Sequence, residues 1–252
     1  MAKVLFAGAH PDDEVLMACV AIVEHVLAGH DVHIVTLSRS LSSVVFDYLN
    51  GTDPGPGHSS ISTWWGVPHA PADEGYEILT PDEFGAARIH ERDTAINCLR
   101  SGIGTITTHE TPDLLGGFTT QQVTDALLVV CDQINPGGPV WLKSHSHLVD
   151  DHPEHVAVGQ AIEALKSSDV SRFGNVRHYV LPRYWNDSRL TQVTESWDWP
   201  TNASVAARAV NALRAYGAWD PPISYAIGYH SVYSDMFAPM LTAPGVRNMY
   251  HP

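Results

Sequence analysis

His10-Pro11-Asp12-Asp13-Glu14 places one imidazole and three carboxylates within five residues, directly after the apolar run Val4-Leu5-Phe6-Ala7. Imidazole nitrogen and carboxylate oxygen are both zinc ligands, and a catalytic zinc takes about three protein donors with one position left for water. His10 and Asp13 can supply two of them. A carboxylate beside such a metal but not on it can take a proton from water, which gives Asp12 a separate task. The same residues would also suit an ordinary helix start, because Asp after Pro satisfies free backbone N–H groups and favours the helix dipole. A second cluster argues against that plainer reading. Asp150-Asp151-His152-Pro153-Glu154-His155 follows the apolar run Val140-Trp141-Leu142 and opens a helical pattern in Val156, Val158, Ile162 and Leu165. His152 and His155 lie three apart on a first helical turn and share a face, so one can ligate while the other donates.

Positioning these residues requires strands that end side by side. A short apolar run bounded by a turn suits a buried parallel strand, and the crevice of an open α/β sheet lies beyond the carboxyl ends of its strands. The rest of the chain alternates helix and strand. Helix 15–28 carries Leu16, Cys19, Val20, Val23, Val26 and Leu27 on one face with Gly29 as its C-cap, and strand 31–38 follows. Helix 81–100 starts at Pro81, and strand 103–108 leads to a helix capped by Thr119 or Thr120 that runs to about Ile134. Strand 139–144, helix 153–167 and strand 178–182 close the sheet. Right-handed crossovers then give an α/β, Rossmann-like fold, a mostly parallel sheet with helices on both faces and the active site at the C-terminal strand ends. We expect a single domain over 1–252, with an irregular insertion at 39–80 and a variable part at 185–252. In the insertion, Trp64-Trp65 either stacks on a sugar ring or anchors the loop to the core. A further helix is expected around 203–217, and the tail from Ala238 covers either a partner surface, which leaves a homo-oligomer open, or the pocket mouth.

The 252 residues are 44% hydrophobic and 17% charged, enough for one large core. A formal net charge of −14, from 14 basic and 28 acidic residues, repels nucleic acid and anionic membranes. No apolar stretch reaches the length of a membrane span, and the N-terminus does not read as a signal peptide. Cys19, Cys98 and Cys131 have no C-x-x-C spacing and read as the reduced thiols of a cytoplasmic protein.

Ala9-His10-Pro11-Asp12-Asp13-Glu14, taken with His152-Pro153-Glu154-His155-Val156-Ala157-Val158-Gly159, resembles the PIG-L (LmbE-like) family of zinc-dependent N-acetylglucosamine deacetylases. The family's motifs A-H-P-D-D-E and H-P-D-H occur in that order, and Arg88-Ile89-His90-Glu91 is similar to the R-x-x-E helix between them. The resemblance is clear over 3–38 and 83–165 and weak in 39–80 and beyond about 185. It implies zinc on His10, Asp13 and His155, with Asp12 as general base and His152 as partner acid or oxyanion donor. It places Arg88 at the sugar pocket. Glu14 and Glu154 would hold neighbouring ligands, Glu154 standing in for the family's usual Asp. Asp150 stands where some members have a tyrosine and would face substrate. Asp150 or Glu154 would keep His152 cationic by raising its pKa. The second strand ends in Arg39-Ser40 where a glycine-acid turn is common in the family. One of His145 and His147 orients a ligand, or both are loop histidines, and His230-Ser231 loosely resembles a histidine-serine element near the substrate.

The activity implied is zinc-dependent hydrolysis of the acetamide of a small-molecule N-acetylglucosaminyl conjugate. Two other readings differ in class. A zinc amidase on another amide would share every catalytic residue and differ in the loops at 39–80 and 184–202. A non-enzymatic α/β binding module would need phosphate or a similar ligand where this chain lacks a G-x-G-x-x-G turn and presents carboxylates instead.

Overall fold

β1 (Lys3–Gly8) alternates its side chains between two cores, Val4 and Phe6 into one and Leu5 and Ala7 into the other, as a strand covered on both faces must. The computed structural model describes residues 1–252 except 60, 112–113, 115–116 and 243–244. Beside β1 lie β2 (Asp31–Thr36) and β3 (Thr105–Glu110) on one side and β4 (Trp141–His145) and β5 (Val176–Val180) on the other, all parallel. The remaining strands are β6 (Ser196–Asp198), the hairpin β7 (Trp219–Asp220) and β8 (Ser224–Tyr225), and β9 (Asn248–His251). The sheet order is β3-β2-β1-β4-β5-β9-β6. The chain thus works outward from β1 in one direction and resumes at β4 in the other. The crevice between the carboxyl ends of β1 and β4 is the topological switch point where such folds bind ligands.

The helices are α1 (Asp13–Leu27), α2 (Val44–Leu49), α3 (Pro71–Glu74), α4 (Pro81–Leu99) and α5 (Thr120–Ile134) in the first half. They continue as α6 (Pro153–Ser168), α7 (Val170–Phe173), α8 (Ala203–Ala215), α9 (Ile227–Val232) and α10 (Ala238–Leu241). α1, α4 and α8 cover one face of the sheet, and α5 and α6 cover the other. Since α1 is pressed between the sheet and the two helices outside it, it is buried nearly all round rather than along one stripe. α4 and α5 each start with a capping box, Thr80 with Glu83 and Thr119 with Gln122.

Strand bounds and the edge of the sheet need correction: β4 begins two residues late, at Trp141, and β5 two residues early, at Val176. β3 begins at Thr105, two residues late, where its pairing with Asp31 of β2 begins. β5 does not close the sheet: β9 pairs antiparallel with β5, and β6 with β9. The end of the C-terminal tail is therefore a strand inside the sheet rather than a cover over the pocket mouth. Among the described residues, no helix is long and apolar enough to cross a membrane.

Candidate active site

Gly8 ends β1, where a Cβ would stand 2.9 Å from the Cβ of Asp13, so only glycine lets α1 begin this close to the strand tip. Between them Asp12 takes φ 123°, a conformation that L residues rarely adopt. It occupies the N-cap position of α1, yet its carboxylate makes no capping bond. The capping role that would explain an Asp at this position is unused, and the side chain instead lines a cavity of about 220 Å³. Gly159 does for the second cluster what Gly8 does for the first. Its Cβ would lie 2.7 Å from the backbone oxygen of His145, so α6 can press against the end of β4 only without one.

The two tips bring the expected residues together. His10 Nδ1 lies 3.1 Å from His155 Nε2, and Asp13 approaches with Oδ1 at 3.4 Å from His155 Nε2 and Oδ2 at 3.7 Å from His10 Nδ1. The far nitrogen of each histidine is held by a carboxylate, His10 Nε2 by Glu154 at 2.5 Å and His155 Nδ1 by Asp150 at 3.0 Å. Glu154 is fixed in turn by the backbone N–H of Gly117, at 2.7 Å. Asp150, expected to face substrate, spends one oxygen on His155 and accepts the backbone N–H of His152 on the other at 2.9 Å. Glu14 accepts from Tyr216 Oη at 2.5 Å and from the backbone N–H of Asp12 at 3.2 Å, so it supports Asp12 and touches neither histidine. Arg88 Nη2 donates to the backbone oxygen of Pro11 at 3.0 Å and stands 3.6 Å from Asp12 Oδ2. The His152 ring stands 4.9 Å from that of His10 and 4.6 Å from that of His155.

Burial and charge set these groups apart. Burial lifts Asp12 well above the usual carboxylate range, against the pull of Arg88. Burial would raise Asp13 too, but His145 and His155 hold it well below that range. For His155 burial is outweighed by Asp13 and Asp150, which raise its pKa to about 9, whereas burial takes His10 down to about 4. His152 is the correction: burial, followed by His155, lowers its pKa rather than raising it.

His145 had no fixed role in the sequence reading. It ends β4, fully buried, with its ring parallel to that of His155 at 4.0 Å between centroids. Its Nε2 lies 3.0 Å from Asp13 Oδ2 without hydrogen-bond alignment, and both nitrogens lack a hydrogen-bond partner among the described residues. The signal that could have found it is strand alternation, which puts position 145 at the tip of β4. His147 instead packs on His178. Trp64 and Trp65 pack with His69, Trp219, Tyr229 and His230 and do not line the cavity, so they anchor the loop. His230 bonds Ser62 Oγ at 2.8 Å away from the cavity, while its neighbour Ser231 reaches the wall. Ser38, Ser40, Ser42 and Ser43 form another part of that wall, with no warning from the motifs.

Residues 5–166 match the family model described as PIG-L, GlcNAc-PI de-N-acetylase. A comparison with curated protein sequences finds no match. Among solved structures, the chain is similar to a triple mutant of a deacetylase of the teicoplanin biosynthetic pathway, at 15% identity and a TM-score of 0.64, over 100% of this chain and 97% of that one. It is similar to N,N'-diacetylchitobiose deacetylase from Pyrococcus horikoshii at 18% identity and a TM-score of 0.52, over 87% and 71% of the two chains. The 4-carboxy-2-hydroxymuconate hydratase GalB of Pseudomonas putida matches at 18% identity and a TM-score of 0.53, over 100% and 95%. At these identities the likeness is one of fold, which a hydratase shares with deacetylases. The family match carries the class of reaction, since it spans both strand tips and the helix that bears Arg88: the chain belongs to the PIG-L family of N-deacetylases.

Proposed function

We propose that this protein is a zinc-dependent deacetylase of an N-acetylglucosaminyl conjugate, cleaving its acetamide to acetate and a free amine. One observation carries this reading: His10 Nδ1 lies 3.1 Å from His155 Nε2, one Asp13 oxygen lies 3.4 Å from the latter and the other 3.7 Å from the former, and Asp12 stands beside them in the same cavity. Zinc bonds of roughly 2.0–2.2 Å at tetrahedral angles put neighbouring donors roughly 3.3–3.5 Å apart, so the donor set fits the ion. Glu154 and Asp150 occupy the far nitrogens of the two histidines and leave the facing ones available.

Zinc bound there would polarise the amide carbonyl and lower the pKa of water toward about 7. Asp12 takes the proton from the attacking water. It then releases that proton to the departing nitrogen. Arg88 keeps the Asp12 carboxylate in place and, lining the cavity itself, offers its remaining donors to sugar hydroxyls. His152 serves as a neutral N–H donor to the oxygen on which charge develops, a task that depends on its position more than on a positive charge. The serines of the cavity wall support a polyhydroxylated substrate over an apolar amide.

Amine release from a panel of N-acetylglucosaminides, measured before and after chelation, tests this function. Release that stops on chelation and returns with zinc is expected. If only acetamides without a sugar are cleaved, the protein is an amidase on another amide; no release by metal-loaded protein from any acetamide ends the reading.

A further inference from the structure

Ser40 combines two costs that a loop residue would not carry without a use. Its φ of 54° lies in the left-handed region, which glycine adopts freely and serine does not. Its Oγ is buried with no hydrogen-bond partner among the described residues. An unpaired buried hydroxyl and a sparsely populated backbone conformation are each destabilising. The backbone around it is fully employed: the N–H of Ser40 donates to Ser38 Oγ at 3.0 Å, and its carbonyl accepts the N–H of Ser43 at 3.1 Å. These bonds hold the residue in its conformation, and Ser43 goes on to cap α2 through its own Oγ. Only the side chain of Ser40 is left over, and Ser40 borders the cavity that holds Asp12 and the three metal donors. Asp12, another non-glycine residue with positive φ, lines the same cavity.

We propose that Ser40 is a specificity-determining residue whose hydroxyl pairs with one hydroxyl of the N-acetylated sugar. The role rests on the sugar-deacetylase reading and adds the group that selects the ring. A serine can both donate to and accept from a sugar hydroxyl, so one such partner would satisfy the orphaned group and the ring together. A sugar without that hydroxyl leaves Ser40 unpaired and gains nothing from it.

The test uses zinc-loaded protein, methyl N-acetylglucosaminide and the monodeoxy analogues that each lack one hydroxyl. Ser40→Ala should lower kcat/KM on the parent sugar about tenfold, the worth of one such hydrogen bond, and leave one analogue unaffected. Zinc content should not change. Ser40→Gly, which fits the left-handed backbone, should lose the same discrimination while raising the thermal midpoint. An unchanged kcat/KM on the parent, or an equal loss on every analogue, would overturn the role, the second result marking a merely structural residue. Calorimetric binding of the same sugars separates this inference from the function it rests on. If wild type releases no amine, weakened binding of the parent but not of one analogue in Ser40→Ala still sustains sugar recognition, and unchanged binding overturns it.

Discussion

Asp12 and Asp13 are adjacent carboxylates, and their surroundings divide them. Asp13 faces three histidines, which hold it in its charged form, whereas Asp12 is buried beside one arginine and burial raises its pKa. Asp12→Asn should therefore keep fold and zinc but lose at least about a hundredfold in turnover, the lower end for a general base. Near-normal turnover of zinc-loaded Asp12→Asn would refute that division. That the two clusters meet was legible in the residue types, since histidine and carboxylate recur at the ends of two predicted strands. The charge state of His152 was not. Sequence proximity to Asp150 and Glu154 predicts a raised pKa, but those carboxylates are committed to His155, His10 and backbone N–H groups, and burial decides the sign instead. The sequence offered His145 or His147 as the residue that orients a ligand without choosing between them, because Asp13, which His145 approaches, is distant in sequence and the pairing of β1 with β4 brings the two together.

α4 is the element that ties the site to the C-terminal part of the chain. Arg88 faces the cavity, and Glu91 on the same helix accepts from Ser224 Oγ at 3.0 Å and from the backbone N–H groups of Tyr225 and Ile227, just before α9 carries Ser231 to the wall. Burial pushes the pKa of Glu91 from 4.5 up to about 7, against the hydrogen bonds it accepts. A carboxyl whose folded pKa exceeds its unfolded one contributes stability that is full below the unfolded value and is lost as pH rises through the folded one. The relevant window runs from about 4.5 to about 7. Glu91→Gln keeps an accepting oxygen and cannot ionise, so its stability relative to wild type should rise across that window, by on the order of 3 kcal/mol near pH 8. Denaturant unfolding at about pH 5 and about pH 8 checks this, and an identical pH dependence in both proteins would show that Glu91 stays ionised throughout. None of this was visible in the sequence beyond the R-x-x-E spacing, because the partners of Glu91 lie more than a hundred residues later.

For the molecule as a whole, the parallel part of the sheet was readable from short apolar runs that alternate with helical patterns along the chain. The antiparallel edge was not. β6 has three residues and β9 four, too short for a period-two signal, and their pairing is fixed only when the tail returns beside β5. The tail also reaches the inner helix, where Asn248 Oδ1 accepts the backbone N–H of Val20 at 2.9 Å inside α1. The whole chain, rather than the family segment alone, thus builds the frame in which β1 and β4 hold their tips together. Metal content of the purified protein tests that arrangement most directly, compared with His10→Ala, Asp13→Ala and His155→Ala prepared in the same way. Wild type should bind one zinc tightly and each variant should lose most of it, because removing one of three ligands leaves too few protein donors. Full zinc retention in all three folded variants would contradict the site, and with it the function proposed here.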